Sequence, residues 1–123
     1  ESIGRLIKAR EKDDNINKIL KEQLHDYNNI AISAKGMLKR RNKDVKDVSL
    51  MSKIATYMTI KINLSKKDGD KEAVDMMIKG SEMGIEQIKK HLNEYKHLNK
   101  TVVNLANRLL NIEENNIQKL KKI

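Results

Sequence analysis

The sequence predicts an all-α fold: an antiparallel up-down-up-down four-helix bundle with a short extra helical segment at its amino terminus. Three observations predict it. Apolar residues recur three and four apart along most of the chain, the spacing that lines one face of an α-helix. Proline is absent and only five glycines occur in 123 residues, so long helices meet little backbone opposition. Three short polar stretches separate the periodic segments, and short connections favour antiparallel neighbours. At this length one domain spanning residues 1–123 is expected.

Residues 1–12 read as an arm, with Ile3, Leu6 and Ile7 on one side and no evident place for them in a four-helix core. Asp13, Asp14 and Asn15 interrupt the arm with N-cap chemistry. The first long helix is expected over 15–41, with Ile16, Leu20, Leu24, Tyr27, Ala31, Ala34 and Leu38 as its stripe. It closes on Lys39, Arg40 and Arg41, cations suited to the negative end of the helix dipole. Asn42 to Lys46 read as a polar turn. A second helix over 47–67 carries Leu50, Met51, Ile54, Ala55, Met58, Ile62 and Leu64; Gly69 then stops it and Asp70 caps the next. In the third helix, 71–96, the positions Val74, Ile78, Ser81, Ile85, Ile88, Leu92 and Tyr95 alternate four and three without a slip. Ser81 and Gly84 would let a neighbouring helix come close. The fourth helix, 100–123, is capped by Asn99 or Thr101 and shows Val102, Val103, Ala106, Leu109, Leu110, Ile117, Leu120 and Ile123.

Composition narrows the function classes. With no cysteine, phenylalanine or tryptophan, thiol catalysis, disulfides and thiolate metal sites are excluded, and the core is built of Ile, Leu, Val and Met. No apolar run approaches the roughly 18–20 residues that span a bilayer, and no signal-peptide pattern opens the chain; no membrane association and a cytoplasmic setting are expected. Richness in Lys, Asn and Ile points to AT-biased coding and a low-GC bacterial source. The net charge of +9 would attract nucleic acid or an acidic partner. Only five of the 26 basic residues are Arg, which fits codon bias towards lysine.

Four constellations invite a chemical reading. Two Glu-x-x-His pairs, Glu22 with His25 and Glu94 with His97, have the spacing of di-iron ligands. His25, however, is turned about 100° from Leu24, Glu94 and His97 sit at a helix end, and the second helix has no Glu. Both pairs are read as solvated. Glu113 falls inside the apolar stripe of the fourth helix, and a buried carboxylate must find partners or a proton. Tyr27, Tyr57 and Ser81, on the inner faces of the other helices, are placed to donate to it. It reads first as a node fixing helix register and second as a proton-handling or ligand-binding acid. Met51 with Met58, and Met76 with Met83, are seven apart and could hold copper(I), but Met also fills irregular cores. Together with Glu113 they are the candidate metal-binding residues; no resident metal or cofactor is expected. The basic residues Lys39, Arg40, Arg41, Lys43 and Lys46 form a candidate nucleic-acid patch without aromatic stacking platforms or a helix-turn-helix.

Residues 75–123 carry a further pattern: Asp75-Met76-Met77-Ile78, then Ile85-Glu86, then Leu105-Ala106, Leu109-Leu110, Glu113-Glu114 and Ile117. It resembles the helix pair of small bacterial ferritin-like four-helix proteins. In a copper-associated family of that kind an Asp-Met-Met start is followed by a metal-binding His pair. The resemblance puts that pair at Gly80 and Ser81, so it implies a bundle without carrying over the metal ligands. The leading expectation is a non-enzymatic interaction protein, self-associating or binding a protein partner through Ile3, Leu6 and Ile7. A ferritin-like metal or small-ligand binder using Glu113 and the Met pairs comes next, and nucleic-acid binding through the basic ends third.

Overall fold

The computed structural model describes residues 2–40, 44–67 and 69–123. It contains four helices: α1 (Ile3–Leu38), α2 (Val45–Ser65), α3 (Lys71–Glu94) and α4 (Lys100–Lys121). No strand occurs among the described residues. α1 packs most extensively on α2 and α3 on α4; α1 with α4 and α2 with α3 complete the ring, and the α2–α3 seam is the least engaged of these neighbouring pairs. The chain is therefore an all-helical four-helix bundle. No described helix is long and apolar enough to cross a membrane.

α1 corrects the sequence reading at its start. It runs unbroken from Ile3 through Asp13, Asp14 and Asn15, so the arm is the first part of a 36-residue helix and not a separate segment. Asp and Asn cost a helix interior less than about 0.7 kcal/mol each relative to Ala, and a helix already nucleated by its packed part propagates through such residues. The cap lies upstream, where Ser2 Oγ accepts from the Arg5 amide at 3.2 Å. At the other end α1 stops at Leu38, short of Arg41, which with Asn42 and Lys43 lies outside the described residues.

The remaining caps are side-chain acceptors. Asp44 Oδ1 receives the Lys46 amide at 2.8 Å, Asp70 Oδ1 the Ala73 amide at 2.8 Å, and Asn99 Oδ1 the Thr101 amide at 2.9 Å; each satisfies a donor that a helix start leaves unpaired. α2 thus begins at Val45, two residues before the expected Asp47, and Asp47 instead accepts from the Asn99 amide at 3.0 Å, tying the α3–α4 turn to the start of α2. Gly69 does not work through a left-handed conformation, since no described glycine has positive φ. It is needed for proximity: its amide donates to Asn17 Oδ1 at 2.8 Å, and a Cβ there would run into the Ile16 side chain.

The core is aliphatic, with Ile16, Leu20, Tyr27, Ile30 and Ala34 from α1, Leu50, Met51, Ile54 and Met58 from α2, Val74, Met77 and Ile88 from α3, and Leu105, Ala106, Leu109 and Leu120 from α4. The stripe of α1 uses Gln23 and Ile30 where the sequence suggested Leu24, which is only half-buried. Likewise α4 buries Asn116, and Ile117 is half-buried.

Candidate functional site

Among the described residues, a polar cluster in the bundle interior centres on Glu113. Tyr27 from α1 donates to Glu113 Oε1, and Tyr57 from α2 donates to Glu113 Oε2. The Gly80 carbonyl, 3.3 Å from Tyr57 Oη, is an alternative acceptor. Asn116, one turn along α4, directs its amide to Tyr27 Oη at 3.1 Å and to Glu113 Oε1 at 3.5 Å. The sequence reading placed Tyr27 and Tyr57 here but missed the cation. Lys61 is fully buried, with Nζ 3.4 Å from Glu113 Oε2, 2.6 Å from Ser81 Oγ and 3.1 Å from the Met77 carbonyl. Its three donors are therefore matched to three acceptors. The ring centroids of Tyr27 and Tyr57 lie 5.7 and 5.9 Å from the same nitrogen, within cation–π range. Ser81 serves Lys61 and not Glu113.

The electrostatics follow from this arrangement. Burial, then the Glu113 carboxylate, push both the Tyr27 and Tyr57 hydroxyls far above the ordinary phenol range, so both remain protonated donors. Burial pulls the Lys61 ammonium below the usual lysine range, opposed by attraction to Glu113. The cluster is closed: Glu113, Lys61 and Tyr27 have no accessible surface. A carboxylate already engaged by two phenols, an ammonium and an amide has no free position for a substrate. Gly80 and Ser81, where the ferritin-like resemblance puts a His pair, flank the Lys61 ammonium, and that fixed positive charge opposes a metal cation at the same point.

The other sequence candidates disperse. Met51 and Met58 are buried in the core, whereas Met76 and Met83 are exposed, so the two pairs do not face a common point; α3 buries Met77 instead. Glu22 is exposed and 3.6 Å from Lys119, His25 meets Asn29, and Glu94 lies near Lys90 and His91. Among the described residues no three His, Asp or Glu side chains are grouped to hold a metal ion. Lys39, Arg40 and Lys46 are exposed, while Arg41 and Lys43 lie outside the described residues. Ile3, Leu6 and Ile7 are 75%, 62% and 52% exposed, and every residue from Ser2 to Asn15 is exposed.

The described residues also form two concave surfaces. Where the arm leaves the bundle, a notch of about 500 Å³ is lined by Ala9 and Ile16 of α1, Val74 and Ile78 of α3, and Leu120 and Ile123 at the end of α4. Along the α2–α3 seam runs a groove of about 480 Å³. Its apolar walls are Leu50, Ile54, Tyr57, Ile60, Gly84 and Ile88, and Lys53 and His91 stand at one end. There Lys53 Nζ donates to Tyr95 Oη at 2.7 Å, Ser49 Oγ lies 3.0 Å from the same oxygen, and the His91 and Tyr95 rings stack at 5.5 Å. The hydrogen bond from Lys53, then the one to Ser49, lower the Tyr95 phenol below its ordinary range. Burial, then the charge of Lys53, lower the His91 imidazole and keep it neutral near pH 7. Sequence reading found neither concavity, because each is assembled from residues on separate helices. No protein-family model matches this chain, and no curated protein or solved structure is significantly similar to it.

Proposed function

We propose that this chain is a non-enzymatic helical-bundle interaction protein, a single domain that self-associates through the amino-terminal arm of α1. One observation carries the reading: a helical arm of thirteen residues, Ile3 to Asn15, about 20 Å long, projects its three large aliphatic side chains into solvent. At 100° per residue, Ile3, Leu6 and Ile7 centre roughly 120° around the helix from the Ile16–Leu20–Tyr27–Ala34 stripe. The arm's apolar patch therefore does not continue the face that binds its own bundle. A helix segment without tertiary packing is marginal in water, and a clustered apolar patch on it favours a partner.

A second copy is the occupant to which we commit, because one chain carries both halves of an interface. The aliphatic tip of one arm meets Val74, Ile78, Leu120 and Ile123 in the notch at the root of the other, which Lys12, Asp13, Lys71, Asp75 and Lys121 also line, and a two-fold exchange closes the pair without leaving a free half. The same reading takes the bundle as antiparallel throughout. It is supported by pairs that run in opposite senses: Ser49 with Tyr95, Tyr57 with Gly80 and Lys61 with Met77 across α2 and α3, Glu22 with Lys119 and Tyr27 with Glu113 across α1 and α4, and Lys89 with Glu114 and Glu82 with Lys121 across α3 and α4. We place the protein in the cytoplasm, where a cysteine-free fold needs no oxidising compartment.

Light scattering coupled to size-exclusion chromatography tests the proposal on the full chain and on a chain lacking residues 2–12. The full chain is expected to self-associate and the shortened one to remain folded and monomeric. A full chain that is strictly monomeric and unchanged by the deletion overturns the reading.

A further inference from the structure

The α2–α3 groove is long and its floor is apolar; Ser52, Thr56 and Gln87 also line it, and its one formal cation, Lys53, stands with His91 at one end. Leu50 to Ile60 covers eleven residues of α2, about 15 Å of helix rise. The floor is firm, since Leu50, Ile54 and Ile88 belong to the packed core and the Tyr57 ring lies flat against Gly84 with no room for a Cβ between them. Ile60 stands at the rim 54% exposed, so apolar surface remains for an occupant to cover. The volume falls within the range of small-molecule pockets, roughly 300–1,000 Å³.

The polar end sets the sign of the occupant. None of the eleven residues that line the groove is acidic; Lys53 is its one formal cation. Beside it the His91 Nδ1 atom is buried without a hydrogen-bond partner, 3.8 Å from the Glu94 carboxylate. A lysine ammonium at one end of an apolar trough matches an anion carried on an aliphatic tail.

We infer that the α2–α3 groove is a binding site for a single-chain aliphatic carboxylate, its tail lying along Ile54, Tyr57, Ile60 and Ile88 and its head group meeting Lys53 and His91. A carboxylate paired to a lysine ammonium forms the stronger, charge-assisted kind of hydrogen bond, and the tail buries apolar surface at about 25 cal/mol per Å². The inference is independent of self-association, since neither the arm nor the notch contributes to the groove.

Titration calorimetry of the full chain with sodium dodecanoate, below its micellar concentration, tests it, with dodecanol and dodecyltrimethylammonium as probes of charge. Dodecanoate is expected to bind saturably at one per chain and more tightly than either probe. Lys53→Met should weaken it about tenfold or more, and Ile60→Asp should weaken all three tails, with helix content unchanged by circular dichroism. Carboxyl-labelled dodecanoate should show a carbon resonance shift on binding that Lys53→Met diminishes. Absence of saturable binding overturns the inference. So does equal affinity for dodecanol, or unaltered dodecanoate binding by Lys53→Met. Capture of an acidic amphipathic peptide that dodecanoate fails to displace would also overturn it, by assigning the groove to a helix.

Discussion

An ammonium and a carboxylate withdrawn from water together each lose hydration worth several kcal/mol, and only close pairing with full hydrogen bonding recovers it. Lys61 and Glu113 meet that condition through Ser81, the Met77 carbonyl, Tyr27, Tyr57 and Asn116. Glu113→Gln keeps an acceptor for only one of the two phenols and strands the Lys61 charge, so urea unfolding should show a loss of about 3–5 kcal/mol. Adding Lys61→Met to that variant removes the stranded charge and should recover most of the loss. If the double variant is no better than the single one, the two groups do not act as a pair. The phenols give the cluster a signature in alkali. Their folded values lie above the ordinary 10.0, so above about pH 10 the unfolded chain releases protons that the folded chain keeps, and stability falls as pH rises. Lys61, lowered from 10.5, works the other way: the unfolded chain holds its proton longer, which raises stability as pH climbs towards 10.5. Two tyrosines outweigh one lysine beyond that point. Tyr27→Phe combined with Tyr57→Phe should therefore flatten the alkaline decline measured by denaturation at successive pH values.

Much of this cluster was legible. Glu113 betrays itself by standing one turn from Leu109, Leu110 and Ile117, and Tyr27 and Tyr57 fall on their helices' inner stripes. Lys61 was hidden by its type, although Ile54, Met58, Lys61 and Ser65 are spaced four, three and four and form one buried face. A lysine among 26 basic residues reads as solvent-facing unless a buried acid opposite calls for it. Asn116 was masked by Ile117, whose apolar side chain made the stripe look one residue displaced.

At the scale of elements, Tyr57 and Gly84 set how closely α2 approaches α3. Gly84→Ala improves intrinsic helix propensity by up to about 1 kcal/mol, yet its methyl would collide with the Tyr57 ring. Overpacking of that kind costs about 1–3 kcal/mol, so thermal unfolding should show a net loss. Gly80→Ala, four residues earlier, meets only Lys61 Nζ at 3.6 Å, an ordinary contact, and should be neutral or stabilising. Equal losses at both positions would refute the close approach at Gly84. Helix starts were legible from Asp70 and Asn99, both of which cap as their side-chain chemistry suggests. The break at Asp13 was not real, because cap-forming residues end a helix only where no cooperative neighbour carries it through. Gly69 was found as a boundary for the wrong reason: crowding by Ile16 and not backbone handedness.

For the whole molecule, the buried cluster and the exposed arm divide the work. Glu113 and Lys61 tie α2, α3 and α4 together inside the bundle, while three aliphatic side chains stay outside at the end of a long helix. Association stabilises the folded form by mass action, so its melting temperature should rise with protein concentration. The most direct test is sedimentation equilibrium of the full chain across a wide concentration range, beside a Leu6→Asp, Ile7→Asp variant. The expected result is a reversible passage from the 14.2 kDa chain to twice that mass, abolished in the variant while its helix content is retained. A single 14.2 kDa species at every concentration, or a dimer indifferent to those two substitutions, would contradict the arm as the contact surface.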